Sequence, residues 1–406
     1  MSLTRRQFVA LTAPAMVAFG SARPHFLANA AEQAKHNKQE KILVVVQMSG
    51  GNDGLNTVVP FNNEEYKKAR PTLALSESEV LKIDDELGFH PAAKGFNDLL
   101  QENQLAVVQG VGYPNPNLSH FESMDIWHTC LRKSDNRPDG WLGRTVDSLQ
   151  LQSKSDIPAL HLGHRKQPYA LVSRDYRIPS VKSLQQFRLE LQQRESLNEI
   201  RNGVTADRPA SSSLLNFVQT STGTAIDVSQ KLADVTKSYK TDVTYPETAL
   251  GTELKTVAQL IDADLSTRIF YVEIEGFDTH SQQADAHAAL LRQVGDAISS
   301  FTEDLNQHGH GDRVLTMCFS EFGRRVQENA SKGTDHGRAA PLFLAGNQVN
   351  SGILGKQPSL NDLEQGDLKH HTDFRQVYAT ILQDWLKTPT DKILNGNFKP
   401  LDIIQS

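Results

Sequence analysis

Three short segments of the chain combine acidic side chains or histidine and could supply ligands to a cation: Asp278-Thr279-His280, Ser320-Glu321-Phe322-Gly323 and Asp335-His336-Gly337. The first segment follows the apolar run Ile269–Ile274, and the second directly follows the apolar run Val314–Phe319. Such runs are typical of buried parallel strands. Because open α/β sheets bind ligands at the carboxyl ends of their strands, we expect these segments to meet at one edge of a sheet.

The strongest metal-binding signal is the pair Asp278 and His280. Two residues apart at the end of a strand, they can turn an oxygen and a nitrogen donor toward one ion, which suits Zn²⁺ or a similar transition metal. The alternative is a solvated aspartate beside Thr279, a helix-capping residue. His336 can add a nitrogen ligand, although a lone histidine in a loop gains weight only from its neighbours. Asp285 and His287 follow in the next helix, and we expect them on its solvated face.

Glu321 has two competing interpretations. A carboxylate directly after a buried strand is costly unless it is paired, and a metal ion would satisfy it. Arg324 and Arg325 lie about one turn later and could form an ion pair with it instead. The sequence favours neither, so Glu321 stays a candidate ligand with an open alternative.

Asp53 lies in the glycine-rich segment Gly50–Asn56, which follows the first predicted strand. The glycines permit a tight turn that presents the carboxylate at the strand's carboxyl end. The segment lacks both the GxGxxG pattern and a Gly-Lys-Ser/Thr ending, so it does not predict a nucleotide site. Taken alone it could also be a plain loop whose Asn and Asp side chains bind their own backbone.

Ser119 and His120 stand at the start of a predicted helix. Serine at this position is typically a helix cap. A helix N-terminus also stabilises an alkoxide or a bound anion, and a nearby cation would make Ser119 a nucleophile. His120 could serve as a metal ligand, as an acid, or as a surface residue.

The elements that must position these residues are apolar strand-like runs alternating with helical patterns. The predicted strands are Ile42–Gln47, Leu105–Gly110, Pro158–Leu162, Ile269–Glu275, Val314–Phe319 and Pro341–Ala345, and predicted helices cover Pro91–Glu102 and Ser119–Cys130. This alternation predicts an α/β fold with a mostly parallel central sheet. A polar, helical segment at about 185–263 predicts an insertion, either a cap over the site or helices on one sheet face.

The N-terminus predicts export. Thr4–Val9 contains a twin-arginine motif, Val9–Phe19 is apolar but about half the length of a spanning helix, and Ala28–Ala30 has the form of a cleavage site. We expect residues 1–30 to be a signal peptide and the twin-arginine translocase to be a partner during export. The remaining chain, 31–406, is expected to be a single domain without a transmembrane anchor, located in the periplasm or outside the cell.

Composition supports a globular enzyme and argues against some partners. The 406 residues are 38% hydrophobic and 22% charged, and the formal net charge of -6 gives no basic surface for nucleic acid. The two cysteines, Cys130 and Cys318, do not form a disulfide framework. One bridge between them is conceivable, but two separate buried thiols are expected.

The order of these residues resembles the alkaline phosphatase and sulfatase superfamily. A closer resemblance is to its uncharacterised, twin-arginine-exported branch, domain of unknown function 1501, and it covers nearly the whole mature chain. The motifs that carry it are Gly-Gly-Asn-Asp-Gly-Leu-Asn, Ser-His-Phe-Glu, Gly-Phe-Asp-Thr-His, Ser-Glu-Phe-Gly-Arg, Thr-Asp-His-Gly and Thr-Asp-Phe-Arg. The resemblance implies a doubly wound α/β/α sandwich, which we call alkaline-phosphatase-like.

The resemblance also implies a ligand set. Asp278, His280 and His336 would hold one divalent metal, and a second metal would lie among Asp53, Ser119 and Glu321. The two-metal phosphatases have an Asp-His pair where this chain has Ser-Glu, so one metal is better supported than two. The sulfatase signature Cys/Ser-x-Pro-x-Arg is absent at Ser119, which argues against a formylglycine enzyme.

The function implied is an exported, metal-dependent hydrolase that cleaves small phosphate or sulfate esters. Ser119 or a water would attack phosphorus or sulfur in line, and His120 would protonate the leaving group. Arg324 or Arg375 would clamp the equatorial oxygens, because a guanidinium matches them bidentately. Two alternatives stay open: a hydrolase acting on another kind of bond, and a non-catalytic periplasmic binding or assembly protein that keeps the fold.

Overall fold

The structure, a computed structural model, describes residues 40–149, 157–163, 165–176, 178–181, 239–263 and 265–405. The predicted signal peptide at 1–30 and residues 185–238 of the predicted insertion lie outside this part of the chain. The compact unit to which the site belongs spans Lys41–Ser406.

The strands are β1 (Ile42–Ser49), β2 (Val58–Val59), β3 (Leu81–Lys82), β4 (Gly88–Phe89), β5 (Leu105–Gly112), β6 (Ala159–Leu162), β7 (Ser180–Val181), β8 (Ile269–Glu275), β9 (Val314–Phe319), β10 (Ala340–Ala345), β11 (Gly352–Leu354), β12 (Leu363–Glu364), β13 (Asp367–Leu368) and β14 (Thr372–Asp373). Eight of them form a central sheet in the order β11-β5-β10-β9-β1-β8-β6-β7, and β14 pairs with β5 as its ninth strand. All pairings in this sheet are parallel except those of β10, which is antiparallel to both neighbours. The predicted mostly parallel α/β sheet is confirmed.

The α-helices are α1 (Glu64–Ala69), α2 (Lys94–Gln101), α3 (His120–Thr129), α4 (Trp141–Ser148), α5 (Ala249–Asp262), α6 (Gln283–Gln307), α7 (Phe374–Thr380) and α8 (Thr390–Leu394). Short 3₁₀ turns cover Gly54–Asn56, Tyr169–Leu171 and Gly311–Arg313, and a π-helical turn, Ile381–Trp385, continues α7. The predicted helices at Pro91–Glu102 and Ser119–Cys130 are therefore present, but each is shorter than predicted at both ends. Ser119 and Cys130 are the caps of α3.

Helices cover both faces of the sheet because its central strands are apolar on both sides. In β1, Val44 and Val46 belong to one hydrophobic core, while Leu43 and Val45 belong to the other. Helices α2, α5 and α6 contribute to the first core, and α3, α4 and α7 contribute to the second. Helix α5 lies within the range of the predicted insertion and packs against the first core.

The direction of β10 decides which loops meet. The parallel strands β1, β8 and β9 end at one edge of the sheet. Since β10 runs the opposite way, it begins at that same edge. The loop before β10, which carries His336, therefore arrives beside the loops that follow β8 and β9. In an all-parallel sheet it would have lain at the far edge.

Two further expectations concern cysteine and membrane insertion. Cys130 and Cys318 are both buried and unpaired, and burial raises the pKa of both thiols. Among the residues that the structure describes, no helix has the length and apolarity needed to cross a membrane.

Candidate metal centre

The loops after β1 and β8 approach each other more closely than side chains would permit. Gly50 and Gly51 have φ angles of 120° and 83°, a region that glycine enters without strain. A Cβ atom on Gly50 would lie 2.4 Å from the backbone nitrogen of Asp278. Gly50 is thus required for close packing against the loop that carries Asp278, and a Cβ atom on Gly51 would lie 2.4 Å from the ring of Phe322.

The carboxylate of Asp278 lies at the centre of the site. Its Oδ1 is 3.0 Å from Nε2 of His280, 3.1 Å from Nε2 of His336 and 2.7 Å from Nη2 of Arg324. Its Oδ2 is 3.3 Å from Nε2 of His120. The sequence segments after β8 and before β10 are therefore brought together, and α3 adds His120 to them.

The other ring nitrogen of each histidine is held by an outer partner. The Nδ1 contacts are His120 to Glu321 Oε1 at 2.8 Å, His280 to Asp335 Oδ1 at 3.1 Å, and His336 to the Leu118 carbonyl oxygen at 2.7 Å. A carboxylate or carbonyl at Nδ1 requires a proton there, which leaves the lone pair of a neutral ring on Nε2. Metal-binding histidines in proteins are typically fixed by such partners. We call His120, Asp278, His280 and His336 the metal cluster.

The donor atoms of Asp278, His280 and His336 have the spacing of transition-metal ligands. Ligands bound tetrahedrally at about 2.0–2.1 Å lie about 3.3 Å from one another. The two Nε2 atoms of His280 and His336 are 3.0 Å apart, and one donor atom from each of His120, Asp278 and His336 lies within 4.8 Å of the others. The Nε2 atom of His120 is also buried without a hydrogen-bond partner. A cation among these atoms would satisfy it.

The charge of Asp278 and the basicity of His120 favour binding of a cation. Partial burial raises the pKa of Asp278, but the hydrogen bond and charge of Arg324, together with the neighbouring His336 and His120, outweigh it and lower the pKa to about 2. Asp278 is therefore ionised at neutral pH. The hydrogen bond to the fully buried Glu321 raises the pKa of His120, which makes its imidazole a more basic donor.

Glu321 forms neither of the ion pairs that the sequence suggested. Its oxygens accept from the Gly50 backbone N–H at 2.9 Å and lie beside His120 and the Ser320 hydroxyl. Arg324 pairs instead with Asp278, and Arg325 with Asp367. In this arrangement Glu321 orients the imidazole ring of His120 through its Nδ1 atom.

Arg324 is enclosed rather than open to a substrate. It is 2% exposed, and its guanidinium donates to the carbonyls of Gly51 at 2.7 Å and Thr334 at 2.8 Å. Its Nη2 also donates to the carbonyls of Gly50 and Phe277 and to Asp278. Arg324 thereby ties the loops after β1 and β8 and the loop before β10 to one another.

Asp53 lies in a buried polar network apart from the metal cluster. Arg70, which is fully buried, pairs with both carboxylate oxygens, and Gln283 donates to one of them. Burial alone would raise the pKa of Asp53, but the charge and hydrogen bonds of Arg70 lower it. With its oxygens engaged in this way, Asp53 takes the role of a structural ion-pair partner.

Ser119 and Arg375 lie in different settings. Ser119 is exposed and caps α3, yet its side chain makes no capping hydrogen bond, so the hydroxyl beside His120 is available.

Arg375 is held bidentately by Asp373 at 2.9 and 2.6 Å and lies 4.5 Å from the ring centre of Phe398. Within the described residues no hydrogen bond or ion pair joins Arg375 to the metal cluster.

The expectation that His287 lies on a solvated helix face is wrong. Its side chain is 1% exposed, and its Nε2 lies 2.9 Å from Oδ1 of Asn52. Burial lowers the pKa of His287 to about 4. Asp285, two residues earlier, is exposed as predicted. The sequence carried no signal for the inward network of Asn52, Arg70 and His287, because its members come from distant segments.

A sequence profile of the family described as "Protein of unknown function (DUF1501)" matches residues 40–394, most of the chain. The chain belongs to the DUF1501 family. The closer resemblance, to domain of unknown function 1501, is thereby confirmed. No curated protein matches the sequence significantly.

Several solved structures are similar in fold. Ps i-CgsB has 10% sequence identity and a TM-score of 0.42, and the match covers 90% of this chain and 76% of that one. The C-terminal periplasmic domain of EcEptC from Escherichia coli, in complex with Zn, has 9% identity, a TM-score of 0.39 and coverages of 77% and 74%. The phosphonate monoester hydrolase SpPMH from Silicibacter pomeroyi has 10% identity, a TM-score of 0.36 and coverages of 89% and 76%.

Proposed function

We propose that this protein is an exported, metal-dependent hydrolase of phosphate or sulfate esters, with one divalent transition metal, zinc or a similar ion, held by the metal cluster. The observation that supports the ligand set is the outward anchoring of each histidine Nδ1, which directs the Nε2 atoms of His120, His280 and His336 to Asp278. This set adds His120 to the three ligands expected from the sequence. Asp53 and Glu321 become supporting residues, so no second metal is proposed.

A divalent cation in the metal cluster would lower the pKa of a nearby hydroxyl or water and offset negative charge on the ester oxygens. The protein supplies the rest. Glu321 and Arg324 hold His120 and Asp278 in place, and the N-terminus of α3 offers free backbone amides to an anion. A binding place for the anionic part of an ester lies where these groups meet.

Ser119 is the proposed nucleophile. It is exposed, its hydroxyl is not used for capping, and it directly precedes His120 in the chain. Attack by its oxygen on phosphorus or sulfur, with loss of the hydroxyl proton to solvent, would form a seryl ester and expel the alcohol. Hydrolysis of that seryl ester by water would then regenerate Ser119 and release phosphate or sulfate. With His120 as a ligand, the proton for the leaving alcohol comes from solvent.

The test combines metal analysis with an ester panel. Purified mature protein should contain about one transition-metal ion per chain and should hydrolyse an aryl phosphate monoester, phosphate diester or sulfate ester. Asp278→Ala should lose both the metal and the turnover. Asp285→Ala is a matched control, because Asp285 is exposed and lies seven residues away in the next helix.

The outcomes separate the candidate functions. Turnover that survives both Asp278→Ala and a chelator would contradict the proposed mechanism. Stoichiometric metal without turnover of any ester would favour the non-catalytic binding protein. In Ser119→Ala, retained metal with at least a 100-fold loss of turnover would support the nucleophile, whereas unchanged turnover would assign the attack to water.

Export is proposed from the N-terminal sequence. The adjacent pair Arg5-Arg6 precedes an apolar stretch and a small-residue cleavage motif ending at Ala30. Replacing both arginines by lysine should keep the charge but leave the precursor uncleaved inside the cell. Normal appearance of a protein starting at Ala31 from that variant would overturn the twin-arginine route.

A further inference from the structure

Two exposed apolar side chains flank the candidate nucleophile. Among the described residues, the exposed large hydrophobic side chains are Leu118, at 36%, and Phe121, at 88%. Ser119 and His120 stand between them in the sequence. A single exposed apolar residue on a protein surface needs no explanation. Here the surface exposes both of them at the start of α3, beside the metal cluster.

The backbone at both positions is fixed relative to the metal cluster. The carbonyl oxygen of Leu118 accepts the hydrogen bond from Nδ1 of His336 at 2.7 Å. Phe121 lies in the first turn of α3, next to His120, whose ring is anchored to the buried Glu321. The backbone that carries the apolar pair therefore lies at the rim of the site.

The chemistry of a substrate with two unlike parts matches this arrangement. An anionic head would be attracted to a cation in the metal cluster and to the N-terminus of α3. The uncharged substituent of the same ester must then lie beside the cluster, where an aromatic and an aliphatic side chain face solvent. Aromatic rings stack favourably on an exposed phenylalanine.

We propose that Leu118 and Phe121 bind an apolar, preferably aromatic, group of the ester at the rim of the site. This inference rests on the proposed function, because it assumes that the anionic head is bound at the metal cluster. A lipid bilayer is a poorer match for the same side chains. Ile126 and Trp127, further along α3, are buried, so the helix has no continuous apolar face for a membrane.

The test uses two non-hydrolysable probes with the same anionic head, phenylphosphonate and methylphosphonate. Calorimetric titration of the metal-loaded, full mature protein should show about 3- to 10-fold tighter binding of the phenyl compound. Phe121→Ala should reduce this ratio to about 1 to 2 without changing the affinity for methylphosphonate. Phe121→Tyr, which keeps the ring, should preserve the ratio. Because Phe121 is exposed, the unfolding midpoint should be the same in all three proteins.

Four other outcomes would contradict the proposed apolar subsite, and each can be told from the others. Equal binding of the two probes by the wild type would refute the apolar subsite while leaving the proposed function intact. If neither probe binds the metal-loaded protein, the proposed function fails as well. A lower unfolding midpoint in Phe121→Ala would mean that Phe121 packs within the protein. If Phe121→Ala lost binding to anionic phospholipid vesicles while the ratio of probe affinities stayed unchanged, Leu118 and Phe121 would be assigned to membrane binding instead.

Discussion

Arg324 should be essential to the site although it is too deeply buried to contact a substrate. We predict that Arg324→Lys lowers both the free energy of unfolding and the affinity for metal. Lysine keeps the positive charge but has three donors in place of a planar guanidinium with five. At least two of the five acceptors that Arg324 serves would lose their partner.

The magnitude follows from those acceptors. A buried acceptor left without a hydrogen bond costs about 1–3 kcal/mol, so two of them cost roughly 2–6 kcal/mol. Arg324→Ala would also leave Asp278 without its arginine partner, and breaking a buried pair costs about 3–5 kcal/mol. Since Asp278 is partly exposed, the loss should fall toward the lower end of that range. Looser support of Asp278 should weaken metal binding about 10- to 100-fold.

The assay is urea unfolding of the metal-free protein, followed by zinc titration against a competing chelator. Arg325→Lys is the matched control, because Arg325 is the next residue, has a side chain that is 42% exposed, and contacts Asp367 at 3.3 Å and the Gln365 carbonyl at 3.0 Å outside the three loops' junction. Arg324→Lys should be at least about 2 kcal/mol less stable than Arg325→Lys. A difference below about 0.5 kcal/mol would refute the idea that Arg324 ties the three loops together.

Three further changes test Glu321, Asp53 and the buried residue His128. Glu321→Gln should bind zinc about 10- to 100-fold more weakly at unchanged stoichiometry, and a lost equivalent of metal in chelator competition would instead make Glu321 a direct ligand. Asp53→Asn should cost about 3–5 kcal/mol in urea unfolding, because it leaves Arg70 buried without its partner. Metal analysis should still find one ion, whereas a metal-free variant would return Asp53 to the ligand set. Burial lowers the pKa of His128 to about 3, so the unfolded chain binds its proton first and stability falls as pH drops below about 6.5. Between pH 7.5 and 5.5 this one group should remove about 1.3 kcal/mol, and an unfolding free energy of His128→Gln with the wild-type pH dependence would contradict that assignment.

The strands were predictable because their apolar runs are long and continuous. Val314–Phe319 and Ile269–Glu275 have the predicted bounds, while β1 and β5 extend two residues beyond theirs. Burial on both faces produces this pattern irrespective of where a strand lies in the sheet. The amino-acid composition of β10 does not reveal that this strand is antiparallel to its neighbours. Its direction nevertheless brings His336 to Asp278.

The partners of the charged groups were not predictable. Glu321 could be paired with Arg324 from their spacing, but the structure pairs it with His120, which is 201 residues away in sequence. Asp53 likewise forms an ion pair with Arg70 because of the way the chain folds after β1. The pairing of charged side chains depends on which loops meet at the sheet edge. The residue types within one segment do not determine which loops meet. The proximity of Asp278 and His280 was predictable because both side chains come from a single loop.

X-ray absorption at the edge of the bound metal tests the central claim most directly. Mature protein, loaded with one equivalent of zinc, should show three imidazole nitrogens and at least one oxygen at about 2.0–2.2 Å. Replacing His120 by alanine should remove one imidazole from that shell while Glu321 stays outside it. A shell with fewer than three imidazoles in the wild type, or one unchanged by the loss of His120, would contradict the metal cluster described above.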